Sequence, residues 1–94
     1  AEEKAVAPAL QQNLRWLSER IKTSFMEGDH IDFIGLSKQA AKEINNSGLH
    51  TDYLHVCHAQ TLQPASQDDT KLVILAAAHC GKARLIDNLQ ISLT

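Results

Sequence analysis

KLVILAAAHCGKARLIDNLQISLT, residues 71 to 94, joins an apolar run to a glycine-bearing turn and an alternating tail. Residues 71 to 78 are apolar on both faces of an extended chain, as a strand with neighbours on both sides requires. HCGK at 79 to 82 then turns the chain, and residues 83 to 91 return as a second strand. A four-residue loop at 79 to 82 would set Ala78 opposite Ala83 and Ile74 opposite Asp87. Period-two alternation gives the hairpin two unlike faces: Leu72, Ile74, Ala76, Leu85 and Leu89 on one, Val73, Leu75, Ala77, Arg84, Ile86 and Asn88 on the other. Asp87 interrupts the first face. Burying an unpaired carboxylate costs roughly several kcal/mol, so Asp87 has a partner, or a bulge at Asp87 and Asn88 turns it outward, or that face meets something beyond this chain's core. Within the chain alone, the favoured arrangement is a local polar turn or bulge in which the Asp87 carboxylate accepts backbone N–H groups.

Upstream, DYLHVCH over 52 to 58 alternates Leu54, Val56 and His58 against Tyr53, His55 and Cys57, and its β-branched and aromatic content predicts a third strand. The polar, proline-containing segment 59 to 70 between them reads as a loop. Two helices precede. Val6, Leu10, Leu14, Leu17, Ile21 and Phe25 recur every three or four residues, one stripe of a helix over 2 to 27 that stops at Gly28, with Trp16 off the stripe. No cap residue precedes Glu2 and Glu3, so the helix's cap is expected upstream of Ala1. Asp29 is the expected N-cap of a second helix over 31 to 46, with Phe33, Ile34, Ala41 and Ile44 inward and Gly48 in the left-handed region at its end. The expected fold is α+β, two helices packed on a three-stranded antiparallel sheet. Two helices cover only one face of such a sheet, so the other is left half-apolar and open, as befits a surface that meets another domain.

Ninety-four residues with 44% hydrophobic and 21% charged side chains make one globular domain. The net charge of -2 and the scattered basic residues argue against a nucleic-acid or membrane role, and LVILAAA at 72 to 78 is too short to span a bilayer. Cys57 and Cys80, with no other mark of secretion, are expected as free thiols in a reducing, cytoplasmic setting. His55, Cys57, His58, His79 and Cys80 are the residue types that hold zinc. Their order is no recognised ligand spacing, and adjacent strand residues point to opposite faces, so no metal site is expected.

GKARLIDNLQI at 81 to 91, following TDYLHVCHAQTLQP at 51 to 64 and the opening helix AEEKAVAPAL, resembles the C-terminal domain of the pantothenate synthetase (pantoate beta-alanine ligase) family. In that family an Arg-Leu-Ile-Asp-Asn strand closes the chain after an apolar strand, and an Asp-Tyr strand with a Thr-Leu-x-Pro segment precedes it. His55, Cys57 and His58 stand where that Asp-Tyr strand commonly carries charged residues. The resemblance implies a Mg²⁺-assisted reaction in which ATP adenylates pantoate, pyrophosphate leaves, and beta-alanine displaces AMP to give pantothenate. It also implies that this chain is the lid of a longer enzyme, covering an N-terminal nucleotide-binding domain and keeping water from the acyl-adenylate. The family's His-x-Gly-His motif is not in this sequence, and no glycine-rich loop follows a strand, so no catalytic residue and no firmly held ATP or Mg²⁺ is expected on this chain. Family members dimerise through the N-terminal domain, which implies a homodimeric parent and a monomeric fragment.

Lys82 and Arg84 are the residues singled out for function, as contacts to ATP phosphate or to the partner domain. Arg84 has a second, structural reading, in which it pairs with Asp87 or an edge acid and its stem covers apolar sheet. The rival to the lid is a free-standing protein-interaction module of the same architecture.

Overall fold

The computed structural model describes residues 2 to 93, with side chains from residue 8 onward. The chain runs α1 (Glu2–Met26), α2 (Phe33–Asn46), β1 (His50–His58), β2 (Lys71–Cys80) and β3 (Ala83–Ser92). The strands form one antiparallel sheet in the order β1-β2-β3, with both helices against one face. This is the α+β arrangement that the periodicities predict.

On α1, Leu10, Leu14, Leu17 and Ile21 are buried and Phe25 packs partly against the same core, while Trp16 is exposed. Val6 and the cap upstream of Glu2 lie outside the described side chains. Gly28, with φ of 73°, ends the helix in the left-handed region that glycine enters without penalty.

The second helix departs from expectation at its start. Asp32, not Asp29, is the N-cap, its carboxylate accepting the Gly35 N–H at 3.0 Å. The inward stripe is accordingly Phe33, Leu36, Ala40 and Ile44 rather than Phe33, Ile34, Ala41 and Ile44, and Ile34 is 71% exposed. Both aspartates suit a cap chemically. Asp32 is favoured because Ile31, one residue before it, is buried in the core, as in a hydrophobic staple. Gln67 secures that point from the connecting loop: its side chain accepts the Ile31 N–H at 2.8 Å and donates to the Ile31 carbonyl at 2.7 Å.

The hairpin is tighter than expected. Cys80 pairs with Ala83, so the loop is the two residues Gly81 and Lys82 rather than four, and Ile74 faces Leu89 while Asp87 faces Ala76. Gly81 has a φ of 60° and Lys82 is not left-handed, the pattern of a type II′ turn, whose twist matches that of the strands it joins. The register thus differs by two residues from the expected one. A shift of two leaves every side chain on its expected face, whereas a shift of one would have reversed them all.

Asp87 therefore sits on the helix-facing side of edge strand β3, between Leu85 and Leu89, and only partly buried. No bulge turns it out: the β2-β3 register runs evenly from Lys71 opposite Ser92 to Cys80 opposite Ala83. The carboxylate accepts the Asn88 N–H at 2.8 Å, and partial exposure lets water hydrate the rest. Replacing Asp87 by Leu is expected to stabilise the chain by about 1 kcal/mol, roughly half the gain from fully burying a Leu side chain. A rise in urea midpoint measures it. A lower midpoint would mean that the Asn88 bond outweighs the apolar contact.

Candidate functional site

The face of the sheet away from the helices has no layer over it among the described residues. Three registers build it. Tyr53, Ala77 and Ile86 form one row, His55, Leu75 and Asn88 the next, and Cys57, Val73 and Gln90 the third. Ile86 is 65% exposed, an aliphatic side chain in water at the centre of an edge strand.

At one end of this face the charges gather. The β1-β2 register shifts between Thr51 and Tyr53. The extra residue is Asp52, so the bulge directs its carboxylate over the open face. Arg84 Nη2 donates to Asp52 Oδ2 at 2.9 Å, and His79 Nε2 lies 3.8 Å from the same oxygen. The guanidinium carbon lies 5.8 Å from the centre of the Tyr53 ring, which stacks on the His55 ring at 5.6 Å and 10°. Arg84 thus spans from β3 to β1, roughly 10 Å at two strand spacings.

Of the residues singled out from sequence, Arg84 is in this cluster, paired with an acid of the opposite edge strand and not with Asp87. Lys82 is exposed at the hairpin tip, and Asn88 is on the open face two residues from Ile86. In the sequence Asp52 and Tyr53 stand out only in the family's Asp-Tyr strand and His79 only among the zinc-type residues, and nothing local there joins them to Arg84. The only signal that does is register: once Arg84 is opposite His79, and His79 opposite His50, the Asp-Tyr pair must come close.

The histidines and cysteines that suggest zinc are divided between faces. His55, Cys57 and His79 project to the open side, while His58 and Cys80 project toward the helices. Among the described residues no group of three or more His, Cys, Asp or Glu side chains could hold a metal ion. Cys57 pairs with Val73 and Cys80 lies seven residues further along β2, roughly 23 Å away at strand rise, beyond disulfide reach. Both thiols are free and buried. Burial pushes the Cys57 thiol above its ordinary value of 9.0, so its contribution to stability is complete below that value and is lost as pH rises through the folded one. His58 serves the loop, its Nδ1 accepting the Gln60 and Thr61 N–H groups at 3.2 and 3.3 Å.

A concavity of about 790 Å³ runs along the free edge of β1, between the first turns of α2 and loop residues Leu62 to Ala65. No helix among the described residues is long and apolar enough to cross a membrane.

These features define an α+β domain whose sheet is covered by helices on one face and carries an arginine-centred polar cluster on the other. The chain belongs to the pantoate-beta-alanine ligase family, whose model matches residues 1 to 90. It is 74% identical over 92 residues to the pantothenate synthetase of Colwellia psychrerythraea, covering 98% of this chain and 32% of that protein. The pantothenate synthetase of Pseudomonas fluorescens is 44% identical over 92 residues, covering 98% and 30%. Among solved structures, the pantothenate synthetase of Thermus thermophilus superposes with a TM-score of 0.60 and 26% identity over 88% of this chain and 28% of that one. The chain therefore spans about a third of the length of these relatives.

Proposed function

We propose that the chain is the C-terminal lid domain of a cytoplasmic pantothenate synthetase, which joins pantoate to beta-alanine at the expense of ATP, through pantoyl adenylate, with release of AMP and pyrophosphate. The observation that carries this reading is the 74% identity to a pantothenate synthetase across nearly the whole chain but only a third of that protein. A covering role is supported by the contrast between the two sheet faces. One is packed, and the other presents Ile86, Leu75, Tyr53 and Arg84, the mixture of aliphatic, aromatic and arginine side chains that protein interfaces favour. The nucleotide-binding domain of the same enzyme is the partner assigned to this face.

A lid acts by closing over a nucleotide held elsewhere, excluding water from an intermediate that water would destroy. ATP and its Mg²⁺ are accordingly assigned to the rest of the enzyme, and no step of the reaction to a residue of this chain.

Supplied with pantoate, beta-alanine and Mg-ATP, the 94 residues alone are expected to form no pantothenate, while the full-length parent forms it. Product from the isolated chain would sink the lid reading. In the parent, Arg84→Ala separates the two roles open to that side chain. Its ion pair is about half-exposed and its guanidinium carbon lies 5.8 Å from the Tyr53 ring centre, so the loss of both contacts is expected to lower stability by about 1 kcal/mol, with turnover per folded molecule unchanged. A loss of turnover and of ATP affinity at constant melting temperature would instead assign Arg84 to phosphate in the closed state.

A further inference from the structure

We infer that the free edge of β1 beside Leu54 is a strand-addition slot that receives a short extended segment from elsewhere in the same longer enzyme. The loop after β1 folds back and begins such a strand. His58 N–H donates to the Gln63 carbonyl at 2.8 Å and Ala65 N–H donates to the Val56 carbonyl at 3.0 Å, making a bridge between Cys57 and Pro64. The loop then departs. Ser66 N–H is taken by Asp69 at 2.9 Å and Gln67 is tied to Ile31, so no described residue continues along the edge past Ala65. Backbone groups of an antiparallel strand alternate in direction, so the Leu54 N–H and C=O point the same way as those of Val56 and His58. No described loop or side-chain hydrogen bond reaches them. The slot ends at Thr51, whose N–H is held by Asn45 Oδ1 at 2.8 Å. What is left open is residues 52 to 55, roughly 13 Å of strand.

The walls suit a peptide. The cleft over this edge has Ile34 and Phe33 on the α2 side and Leu62 and Pro64 on the loop side. Ile34 is 71% and Leu62 55% exposed, and Leu62 has a φ of 61°, a left-handed conformation disfavoured for a non-glycine residue. Two large aliphatic side chains, one on strained backbone, flank an unpaired strand edge. An extended segment would pair with Leu54 and place alternate side chains between them.

The size of the slot chooses the occupant. A second copy of β1 pairing antiparallel about Leu54 would need the edge at Val56, which Ala65 already occupies. A separate peptide would gain only two or three backbone hydrogen bonds and one or two apolar contacts, too little to offset the translational and rotational freedom lost on association. A tethered segment avoids most of that cost, because its second contact is intramolecular. The relatives carry about two-thirds of their length outside the matched stretch, which supplies such a segment. Its chemistry is an extended run with a non-proline residue opposite Leu54 and an apolar side chain toward Ile34 and Leu62.

The inference rests on the reading of this chain as part of a longer ligase, yet the two fail separately. Amide hydrogen exchange is followed in the full-length parent and in the 94-residue chain, with Ile74 as the folding control in each. Leu54 is expected to exchange at least tenfold more slowly in the parent, and Leu62→Asp or Ile34→Asp, both at exposed positions, is expected to abolish that difference with Ile74 unaffected. Equal Leu54 exchange in an active parent overturns the slot and leaves the ligase reading intact, whereas a parent without ligase activity overturns that reading. Protection that survives both Asp variants, or that appears in the isolated chain as its concentration rises, overturns the assignment in favour of another surface or a second copy.

Discussion

Ile74→Ala is expected to lower the unfolding free energy by about 3 kcal/mol, within the range of roughly 2 to 5 kcal/mol for truncating a buried Ile. Ile74 is 0% exposed, stands mid-way along the central strand, and has Val56 and Leu89 beside it in register. Strands hold it on both sides and the helices above, so the cavity left by the lost atoms cannot collapse. A domain of this length has roughly 5 to 14 kcal/mol of stability in all. The melting temperature should fall by about 12 to 24 °C, and the urea midpoint should fall with an unchanged slope. A loss under about 1 kcal/mol, far below that range, would mean that the helices do not pack on β2 as described.

Gly81→Val should cost about 2 kcal/mol for a different reason, the upper end of the left-handed penalty. A Cβ at Gly81 would have no neighbour within 4 Å, so no clash is created. The cost is conformational. The φ of 60° is disfavoured for any side chain by roughly 1 to 2 kcal/mol, and most for a β-branched one. Gly81→Asn, at the same position, should lose less than half as much, because Asn tolerates the left-handed region. Equal losses for Val and Asn, read from urea midpoints, would show that the turn is not the two-residue loop through Gly81 and Lys82.

These two substitutions mark what can and cannot be read from the chain. The apolar run at 71 to 78 identifies a central strand because periodicity is local and each residue carries its own part of the signal. The hairpin register is another matter. HCGK admits both a four-residue and a two-residue loop, and the choice rests on which one closes the ladder between Cys80 and Ala83. The α2 cap has the same character: Asp29 and Asp32 are equally good caps in isolation, and burial of Ile31 with the Gln67 clamp from 36 residues away decides between them. Ile34, inward by spacing alone, turns outward as a consequence.

The open face shows the division most directly. That one face would be left bare follows from counting two helices against three strands. Leu75, Ala77, Arg84 and Ile86 are assigned to it by alternation, which survives a two-residue error in register. The partner of Arg84 is not legible, because Asp52 is 32 residues distant and reaches the open face only through a bulge that no local pattern announces. The Leu54 slot is equally hidden, since 59 to 70 reads as polar loop and its bridge at Pro64 depends on the path of β1.

By itself, then, the sequence determined the kinds of elements, their order, the side of the sheet that the residues of β2 and β3 take and the family, since all of these are written in short-range periodicity and contiguous motifs. Only the tertiary structure decided the hairpin register, the capping aspartate, the Asp52-Arg84-His79 cluster and the open edge at Leu54. Each of these depends on a contact between residues that the chain alone leaves free to pair in more than one way, and it is the closing of a shared core that leaves a single choice.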